Sequence, residues 1–294
     1  MYDCIIIGAG PSGLTSALYL RRANKKVLLL ESKNYGGQII NASKIENFPS
    51  IKTISGFEFA TNLYNQVIDL GAEIKYETVI KVEEDKTVIT NKNSYKTKTV
   101  IIATGAQNKK LNIENESKYI GKGLSYCATC DGNFFKNKIV AVNGGGNTAL
   151  EDALYLSDIA SKVYLIHRRE EFKADEKYLE EASSKDNIEI ITNATIQSLN
   201  GENTLESITI NENNIIKNIE LNGLFVAIGQ EPKNEIFTNV VDLNEKGYII
   251  TNNDVYTKTR GIFASGDTRE KELRQITTAI GDGSIAATVA LKEM

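Results

Sequence analysis

Near its N-terminus the chain reads Asp3-Cys4-Ile5-Ile6-Ile7-Gly8-Ala9-Gly10-Pro11-Ser12-Gly13. The apolar run predicts a buried β-strand, and a helical pattern, Leu14 to Leu20, follows the glycines directly. A second apolar strand, Val27 to Leu30, ends at the acidic residue Glu31. A strand, a glycine turn, a helix, a second strand and an acid in this order predict a dinucleotide-binding βαβ unit.

The residues of this turn have distinct physical roles. Gly8 permits the tight turn, Gly10 lets the backbone approach a pyrophosphate, and Gly13 lets the helix pack closely on the strand. The N-terminus of the helix offers free N–H groups and the positive end of its dipole to the phosphates. Glu31 is expected to accept hydrogen bonds from the ribose hydroxyls.

A second unit of the same kind begins near the middle of the chain. Its first strand, Lys138 to Asn143, leads into Gly144-Gly145-Gly146-Asn147-Thr148-Ala149, a G-x-G-x-x-A turn. A helical pattern, Leu150 to Ser157, and a strand, Lys162 to Ile166, follow. This strand leads into His167-Arg168-Arg169, where the first unit has an acid.

The basic residues at this strand end discriminate between two nucleotides. An acid would repel a 2′-phosphate, whereas Arg168, Arg169 and Lys173 can pair with it, so we expect NADP rather than NAD. The alternative is an ordinary solvated basic strand end. His167, the only histidine in the chain, is expected to stack or hydrogen-bond near the adenosine phosphate rather than to act as a base.

Short alternating strands follow each unit and predict a small β-meander in each domain. The remaining tail is too short for a third nucleotide domain and is expected to complete the first. We therefore predict an α/β fold with two Rossmann-like domains of the three-layer ββα type. Residues 1–111 and 243–294 form the first domain, and residues 112–242 form a second domain inserted into it. The predicted meander strands are Val79 to Val82, Thr87 to Thr90, Ile196 to Leu199 and Ile208 to Ile210.

The composition is that of an ordinary globular enzyme, with 41% hydrophobic and 24% charged residues. The net charge of -4 argues against nucleic acid as a partner, because phosphate binding needs a concentrated basic surface. No apolar stretch approaches the length of a membrane span, and no targeting segment precedes the first strand. We therefore expect a cytoplasmic protein that does not bind membranes.

Two of the three cysteines form Cys127-Ala128-Thr129-Cys130. Structural disulfides are rare in the cytosol, so this spacing favours redox or metal chemistry. Zinc needs about four ligands, and the chain has no second Cys-x-x-Cys, so no metal site is predicted. The polar neighbours Tyr126, Thr129 and Asp131 argue against two inert buried thiols. A redox disulfide fits best, while Cys4 is expected to be a small buried hydrophobe in the first strand.

The cysteine pair and the nucleotide sites are linked by their chemistry. A nicotinamide delivers two electrons as a hydride, whereas a disulfide is reduced through a thiolate adduct, and a flavin can take part in both steps. We therefore expect a flavin between NADPH and the pair. Asp131 can supply the proton that a leaving thiolate needs if burial or a neighbouring thiolate raises its pKa.

With these features together, essentially the whole chain resembles the low-molecular-weight thioredoxin reductases. The combination of motifs is far more specific than any single one. The matching segments are Ile7 to Gly13, Gly36 to Ile39, Glu46 to Pro49, Ala103 to Ala106, Gly123 to Gly132, Gly144 to Ala149, His167 to Phe172, and Gly266-Asp267 with Leu273 to Ala279.

The resemblance implies an FAD domain built from both chain ends, an inserted NADPH domain with the cysteine pair, and a homodimer that reduces a thioredoxin-like protein. It implies that Cys130 lies nearer the flavin, that Cys127 attacks the substrate disulfide and that Asp131 is the proton donor. The residues then expected at FAD are Gly8, Gly10, Pro11, Ser12, Gly13, Glu31, Gly36, Gly37, Gln38, Asn47, Ala103, Thr104, Gly105, Gly266, Asp267, Arg274, Gln275 and Ile276. Those expected at NADPH are Gly144, Gly146, Asn147, Thr148, His167, Arg168, Arg169 and Lys173.

A few positions depart from the pattern of the family. Asn147-Thr148 stands where most relatives have Asp-Ser, Lys173 where they usually have Arg, and Phe48 in place of a common Trp. The connector 112–116 lacks the usual Gly-Pro-Gly-Glu character. Some relatives have lost the nicotinamide motifs and take electrons from ferredoxin, so a ferredoxin-linked reductase is the alternative enzyme. A non-enzymatic flavoprotein redox sensor is the second alternative, and the flavoprotein half of a peroxide-reducing system is disfavoured because no added redox domain precedes the first strand.

Overall fold

The structure, a computed structural model, describes residues 1–42, 44–252 and 254–294. They form two compact units, Met1–Gln107 with Glu231–Met294 (unit 1) and Asn108–Gln230 (unit 2). The strands are β1 Tyr2–Ile7, β2 Val27–Glu31, β3 Glu73–Tyr76, β4 Val79–Val82, β5 Thr87–Thr90, β6 Ser94–Ile102, β7 Gln107–Asn108, β8 Leu124–Ser125, β9 Ile139–Asn143, β10 Lys162–Ile166, β11 Ile188–Ile191, β12 Ala194–Asn200, β13 Ser207–Glu212, β14 Ile215–Glu220, β15 Gly223–Val226, β16 Gln230–Glu231 and β17 Ile262–Ala264. The helices are α1 Pro11–Arg22, α2 Gly56–Asp69, α3 Glu116–Tyr119, α4 Ala128–Asp131, α5 Asn147–Ser157, α6 Glu176–Ser184 and α7 Ile276–Lys292.

The sheet of unit 1 has the strand order β3-β2-β1-β6-β5-β4, and β17 also pairs with β6. Strand β1 lies between β2 and β6 in parallel register, so that Ile5 stands opposite Leu28 and Val100. The long strand β6 changes partners along its length. Its first half pairs antiparallel with β5, and its second half pairs parallel with β1 and β17.

Both faces of this sheet are buried, which explains why its central strands are apolar at consecutive positions. Successive side chains of β1 point to opposite faces. Cys4 and Ile6 belong to a core that includes residues of α1, α7 and β17. Ile5 and Ile7 belong to a second core, which includes Val82 of the β4–β5 hairpin.

Unit 2 repeats this arrangement with a parallel sheet of order β11-β10-β9-β15-β8 and a separate antiparallel sheet of β12, β13 and β14. Leu150 and Ala153 of α5 pack with Val140 and Val142 of β9. Ile208 and Ile210 of β13 pack with Ala141 on the other side. The predicted α/β fold with two Rossmann-like units is confirmed.

The division between the units differs from the predicted domain boundaries, most of all at the second crossing. The units divide after residues 107 and 230, whereas the sequence pattern predicts residues 111 and 242. Phe237, Val240 and Val241 are almost completely buried in the core around Ile5 and Ile7 of unit 1. An apolar segment between two strands carries no local signal that tells which of two similar sheets it covers.

No helix in the described part of the chain has both the length and the apolar character needed to cross a membrane. The helices instead bury one side against a sheet. In α1, for example, Leu14, Ala17 and Leu20 are completely buried, whereas Tyr19 is 47% exposed. This spacing of three residues is typical of a helix packed on one face.

Candidate active site

The first glycine turn, between β1 and α1, leaves no room for side chains at two of its glycines. Gly8 has φ +105°, and a Cβ added there would lie 2.4 Å from the Ala103 carbonyl oxygen. A Cβ added at Gly13 would lie 1.9 Å from the Gly8 carbonyl oxygen. Because both contacts are with backbone atoms, the neighbours cannot move away easily. The turn therefore holds α1 tightly against the end of β1.

Gly10, in contrast, faces open space. The nearest heavy atom to an added Cβ would be Gly37 Cα, at 4.0 Å. Gly10 is the N-cap of α1, and Pro11 follows it at the first helical position. The N–H of Gly36 donates to the carbonyl of Ala9 at 2.8 Å, which brings a second glycine pair to the same place. A phosphate fits between these backbones at the positive end of the helix dipole.

The acid at the end of β2 is tied to this turn. Glu31 Oε2 accepts a hydrogen bond from the Ala9 N–H at 2.9 Å, and its Oε1 accepts one from Lys33 N–H at 2.8 Å. The carboxylate is therefore held beside the glycines, where the ribose hydroxyls of a nucleotide bound at the turn can reach it.

The other chain end of unit 1 meets the same turn. Ser12 Oγ and Ser265 Oγ are 2.5 Å apart, and a Cβ added at Gly283 of α7 would lie 2.4 Å from the Ser12 carbonyl oxygen. Thr104 Oγ1 is 2.9 Å from Thr268 Oγ1. Segments from both chain ends thus meet beside the first glycine turn in unit 1.

Three buried polar side-chain atoms in this region have no hydrogen-bond partner among the described residues, namely Asp267 Oδ1, Arg269 Nε and Arg274 Nε. Lys271 Nζ lies 3.3 Å from Asp267 Oδ1, but without the geometry of a hydrogen bond. Burial raises the pKa of Asp267, and the positive charge of Lys271 opposes this shift. An unsatisfied acceptor and donor beside Gly266 fit a hydroxyl-rich, anionic group such as the ribityl diphosphate part of FAD.

The remaining residues predicted at FAD lie in the segments that frame this site. The side chain of Gln38 donates to the carbonyl of Ala106, close to Thr104 and Gly105. Asn47 Nδ2 donates to Gln275 Oε1 at 3.1 Å, which joins the loop before α2 to the start of α7. Ile276 is the first residue of α7. These contacts connect all the segments predicted to bind FAD within unit 1.

The second glycine turn, between β9 and α5, repeats one contact of the first. A Cβ added at Gly144 would lie 2.4 Å from the Ala227 carbonyl oxygen and 2.7 Å from Ala149 Cβ. Gly146 is the N-cap of α5, and a Cβ added there would meet no heavy atom within 4 Å. The turn therefore offers the same open backbone for a phosphate as the first one.

His167 lies directly against this turn. A Cβ added at Gly145 would be 2.1 Å from its Cε1 and 2.2 Å from its Nδ1. The imidazole is only 8% exposed, its Nε2 donates to the Glu171 carbonyl at 3.1 Å, and its ring stacks obliquely on Phe172. Burial lowers the pKa of His167, and the charges of Arg168 and Arg169 lower it further. The imidazole is therefore neutral, and it packs against the backbone of the turn at Gly145.

The segment after the basic cluster is fixed to the same turn by two sets of contacts. Lys173 N–H donates to the Gly145 carbonyl at 2.7 Å. Asn147 and Asp175 form a reciprocal pair, in which Asp175 N–H donates to Asn147 Oδ1 at 2.8 Å and Asn147 Nδ2 donates to Asp175 Oδ2 at 3.2 Å. Asn147 is thus the first residue of α5, after the N-cap Gly146, and its side chain links the helix to this segment.

Arg168 and Arg169 are both exposed. Arg168 also lines an open cavity of about 320 Å³ on the meander, with Asn193, Thr195, Asn211, Asn213 and Asn214. The carboxyl end of the parallel sheet carries Gly146, Lys173 and the two arginines. This is where nucleotides bind in folds of this kind.

Cys127 and Cys130 form a disulfide in unit 2, with their Cα atoms 5.3 Å apart. Cys127 is the N-cap of the short helix α4, which ends at Asp131. Thr129 Oγ1 donates to Cys127 Sγ at 3.4 Å. Cys4 is a free thiol, completely buried in β1, and burial raises its pKa to about 12. The contrast between a paired and an inert cysteine is as predicted.

Asp131 follows Cys130 directly in the sequence, and its N–H donates to the Cys127 carbonyl at 3.1 Å. Its Oδ2 accepts a hydrogen bond from Ser125 Oγ at 2.6 Å. Burial raises the pKa of Asp131, and the hydrogen bond from Ser125 opposes this shift. A carboxyl group with a raised pKa next to a disulfide has the property that a proton donor to a leaving thiolate needs.

The residue before the pair is held by a buried acid. Glu116 is 5% exposed and accepts hydrogen bonds from the backbone N–H groups of Leu111 and Asn112, at 2.8 and 3.0 Å. It also accepts one from Tyr126 Oη at 2.5 Å, and burial raises the pKa of Tyr126. This connection between the connector and the cysteine motif has no signal in the local sequence.

Comparison with known proteins agrees with this geometry. The family model for pyridine nucleotide-disulphide oxidoreductases matches residues 2–283. A thioredoxin reductase of Bacillus subtilis (strain 168) is 42% identical over 296 residues, which cover 98% of this chain and 93% of the relative. The crystal structure of a thioredoxin reductase from Streptococcus pyogenes is 38% identical with a TM-score of 0.95, covering 100% of this chain and 98% of that one. The chain belongs to the thioredoxin reductases of this family.

As a member of the pyridine nucleotide-disulphide oxidoreductases, the chain is an enzyme that uses FAD and NADPH. The two glycine turns and the unsatisfied atoms of Asp267 and Arg274 fit these groups. Sequence patterns identify the turns, the cysteine pair and the basic cluster. They miss Ser125 and Glu116, because contacts of single polar side chains between segments leave no periodic signal.

Proposed function

We propose that the chain reduces the disulfide of a thioredoxin-like protein, with NADPH as the electron donor and with FAD and the Cys127–Cys130 pair as carriers. The pair beside the carboxyl group of Asp131 is the observation that carries the proposal. A second nucleotide turn lies in the same unit as the pair and has cations where the first turn has an acid. The names of the relatives support the choice of substrate.

The two nucleotides are proposed to bind to different units. The turn at Gly8–Gly13, the acid Glu31 and the unsatisfied Asp267 suit FAD in unit 1. The turn at Gly144–Ala149 and the cluster Arg168, Arg169 and Lys173 suit NADPH in unit 2. His167 is then a support for the turn, since its imidazole fills the space below Gly145.

When bound, FAD would supply the two-electron chemistry that connects the nicotinamide of NADPH with the disulfide, and the first glycine turn, Glu31 and Asp267 would hold it. The chemistry at the protein substrate then belongs to the side chains of the chain. The Cys127 thiolate attacks one sulfur of the substrate disulfide, and the substrate thiolate that leaves takes the proton of Asp131. The Cys130 thiolate next attacks Cys127 Sγ, which re-forms the disulfide and releases the second substrate thiolate. Two electrons pass to the substrate, and the second proton comes from solvent.

A surface for the protein substrate is proposed at the turn that follows the cysteine pair in the sequence. An open cavity of about 490 Å³ lies next to the turn that follows α4, with Phe134 and Phe135 on its wall. Two lysines, Lys122 and Lys138, and two glutamates, Glu206 and Glu220, line the same cavity. Aromatic side chains with polar surroundings are typical of protein interfaces.

We further propose a cytoplasmic homodimer, as the resemblance implies. Unit 1 exposes large apolar side chains that a second copy can cover, including Tyr19, Phe57 and Leu273, at 47%, 58% and 57%. The free thiol of Cys4 and the single redox disulfide fit a reducing compartment.

The function is tested by separating electron input from disulfide reduction. Cys127→Ser should abolish reduction of thioredoxin while anaerobic NADPH still bleaches the flavin absorbance. Cys4→Ala is the matched control, because it removes the third cysteine and should keep turnover. If NADPH does not bleach the flavin of the unsubstituted enzyme but reduced ferredoxin does, the assignment of the donor is wrong. Loss of both steps in Cys127→Ser would contradict the relay.

A further inference from the structure

Ser125, the last residue of β8, lies between the proton donor and the attacking cysteine. Its side chain is buried, with the residue 5% exposed. Ser125 Oγ donates to Asp131 Oδ2 at 2.6 Å and accepts a hydrogen bond from Cys127 N–H at 3.0 Å. The carbonyl oxygen of Cys127 lies 3.3 Å from the same Oγ, within reach of the hydroxyl proton. One hydroxyl therefore contacts both the carboxyl group of the proposed proton donor and the backbone of the attacking cysteine.

A serine hydroxyl has one proton and two acceptor lone pairs. When Asp131 is ionised, the Ser125 proton points to the carboxylate, and the Cys127 N–H donates to Oγ. When Asp131 is protonated, its O–H donates to Oγ, and the Ser125 proton turns to the Cys127 carbonyl. The Cys127 N–H keeps its acceptor in both states. Rotation about one C–O bond thus satisfies every polar atom before and after the proton moves.

We propose that Ser125 is a positioning residue for Asp131, whose hydroxyl reverses its hydrogen bonds as the carboxyl group gains or loses its proton. The reversal keeps the carboxyl group and the Cys127 backbone in place while the substrate thiolate leaves. The inference rests on the proposed reduction of a protein disulfide, since it describes how the proton donor of that reaction is held. It also makes a statement about Asp131 that holds without any substrate.

Two features of its surroundings shift the pKa of Asp131. Burial raises it, and the hydrogen bond from Ser125 lowers it. Helix α5 packs against α4 and carries Glu151 and Asp152. Neither of these two acids contributes to the shift in the pKa of Asp131. The pKa of Asp152 is nevertheless also raised, to about 7, because of burial and the charge of Glu151. Any measurement must therefore separate Asp131 from Asp152.

The test compares three variants of the full enzyme with FAD bound. Ser125→Ala removes the hydroxyl, and Ser125→Thr keeps it. Ser157→Ala is the matched control, because Ser157 is equally buried but donates to the Leu154 carbonyl within α5. The first readout is the infrared band of the protonated Asp131 carboxyl group, identified as the band that Asp131→Asn removes. The second is the pH profile of thioredoxin reduction.

The hydrogen bond from Ser125 stabilises the ionised carboxylate, so its loss should raise the pKa of Asp131. We expect the infrared titration of Ser125→Ala to move up by about one pH unit, as for the loss of a hydrogen bond to a charged group. The alkaline limb of the pH profile should move in the same direction, because Asp131 stays protonated to higher pH. The rate at the optimum should fall about tenfold, while bleaching of the flavin by NADPH stays unchanged.

Ser125→Thr should restore the titration, and Ser157→Ala should leave it unchanged. An unaltered Asp131 titration in Ser125→Ala would overturn the inference, even if the variant were less stable, because a merely structural serine affects the melting temperature alone. If the unsubstituted enzyme fails to reduce thioredoxin, the proposed function fails. The infrared titration still decides the role of Ser125 in that case.

Discussion

The two glycine turns hold their strands by the same contact and differ in what supports them. The first glycine of each turn lies against a backbone carbonyl, that of Ala103 for Gly8 and that of Ala227 for Gly144, and an added Cβ would be 2.4 Å from the oxygen in both. Beside the first turn stands the carboxylate of Glu31, which accepts a hydrogen bond from Ala9. Below the second lies the imidazole of His167.

The difference distinguishes the contacts that form the turn from the residues proposed to select a nucleotide. The contact of glycine with carbonyl is needed for any strand-turn-helix unit of this shape, so it occurs twice. The residue at the end of the next strand varies with the nucleotide. In unit 1 it is an acid suited to ribose hydroxyls, and in unit 2 it is a neutral histidine followed by two arginines. We therefore propose that the strand end determines which nucleotide binds, whereas the glycine contact is common to both turns.

The largest effects are expected from breaking the shared contact in each turn separately. Gly8→Ala places a Cβ on a carbonyl oxygen and demands a left-handed backbone, so it should cost several kcal/mol (about 3 or more) and release FAD. Gly144→Ala should keep the flavin bound but abolish its reduction by NADPH. Flavin fluorescence and anaerobic bleaching distinguish the two.

Gly281→Ala is the control for this pair, because an added Cβ meets no heavy atom within 4 Å there. It lies inside α7 and should not lower the melting temperature. Equal loss of flavin from Gly8→Ala and Gly144→Ala would mean that the two turns do not serve two nucleotides.

A smaller effect is expected from removing the cations that distinguish the second turn. Arg168→Ala combined with Arg169→Ala should raise the KM for NADPH about a hundredfold, because two charge-assisted contacts to the 2′-phosphate are lost. The KM for NADH should change far less. Steady-state kinetics with both donors measure this, and an equal change for the two donors would show that the cluster does not bind the 2′-phosphate.

The same comparison shows which features of the two turns the sequence predicts and which it does not. The strand Lys162–Ile166 and the meander strands Val79–Val82 and Thr87–Thr90 have the predicted bounds, because apolar periodicity defines strands well. The glycine motifs predict both turns. The position of His167 is different, since nothing in its neighbourhood in the sequence reveals that Gly145, more than twenty residues away, leaves room for its ring.

The second crossing between the units shows another limit. Phe237 and Val240 have the same apolar character as residues that cover the sheet of unit 2. Which sheet they cover depends on long-range packing, and the sequence pattern therefore predicts a boundary that lies twelve residues later than the observed one, at 242 instead of 230. Buried polar links such as Ser125 with Asp131 have the same long-range character.

The smallest effect is expected at the clamp between Asn147 and Asp175, which only the second turn possesses. Asn147→Asp sets two carboxylates against each other, and it should cost about 0.5–1 kcal/mol, since both residues are exposed. Asp175→Asn in addition should restore most of the stability. Thermal unfolding of the two variants and the double variant measures this coupling.

The KM for NADPH should rise in Asn147→Asp and return toward its original value in the double variant. The reason is that the clamp holds the segment that carries Lys173. If the double variant were less stable than Asn147→Asp alone, charge repulsion would not be the reason why asparagine is suited to this position. The comparison of the turns would then need a different account of Asn147.

The discontinuous course of unit 1 has a consequence for synthesis on the ribosome. Strand β17 and helix α7 supply Phe263, Ala286 and Ala290 to the core around Cys4 and Ile6. These residues are made last, after residues 108–230 of unit 2 have all been joined. The unit that begins first is thus completed second, and α1 keeps an uncovered apolar side while the whole of unit 2 is made. N-terminal domains usually fold first during synthesis, and here that order is reversed. The last thirty or so residues complete the core to which the first twenty residues contribute.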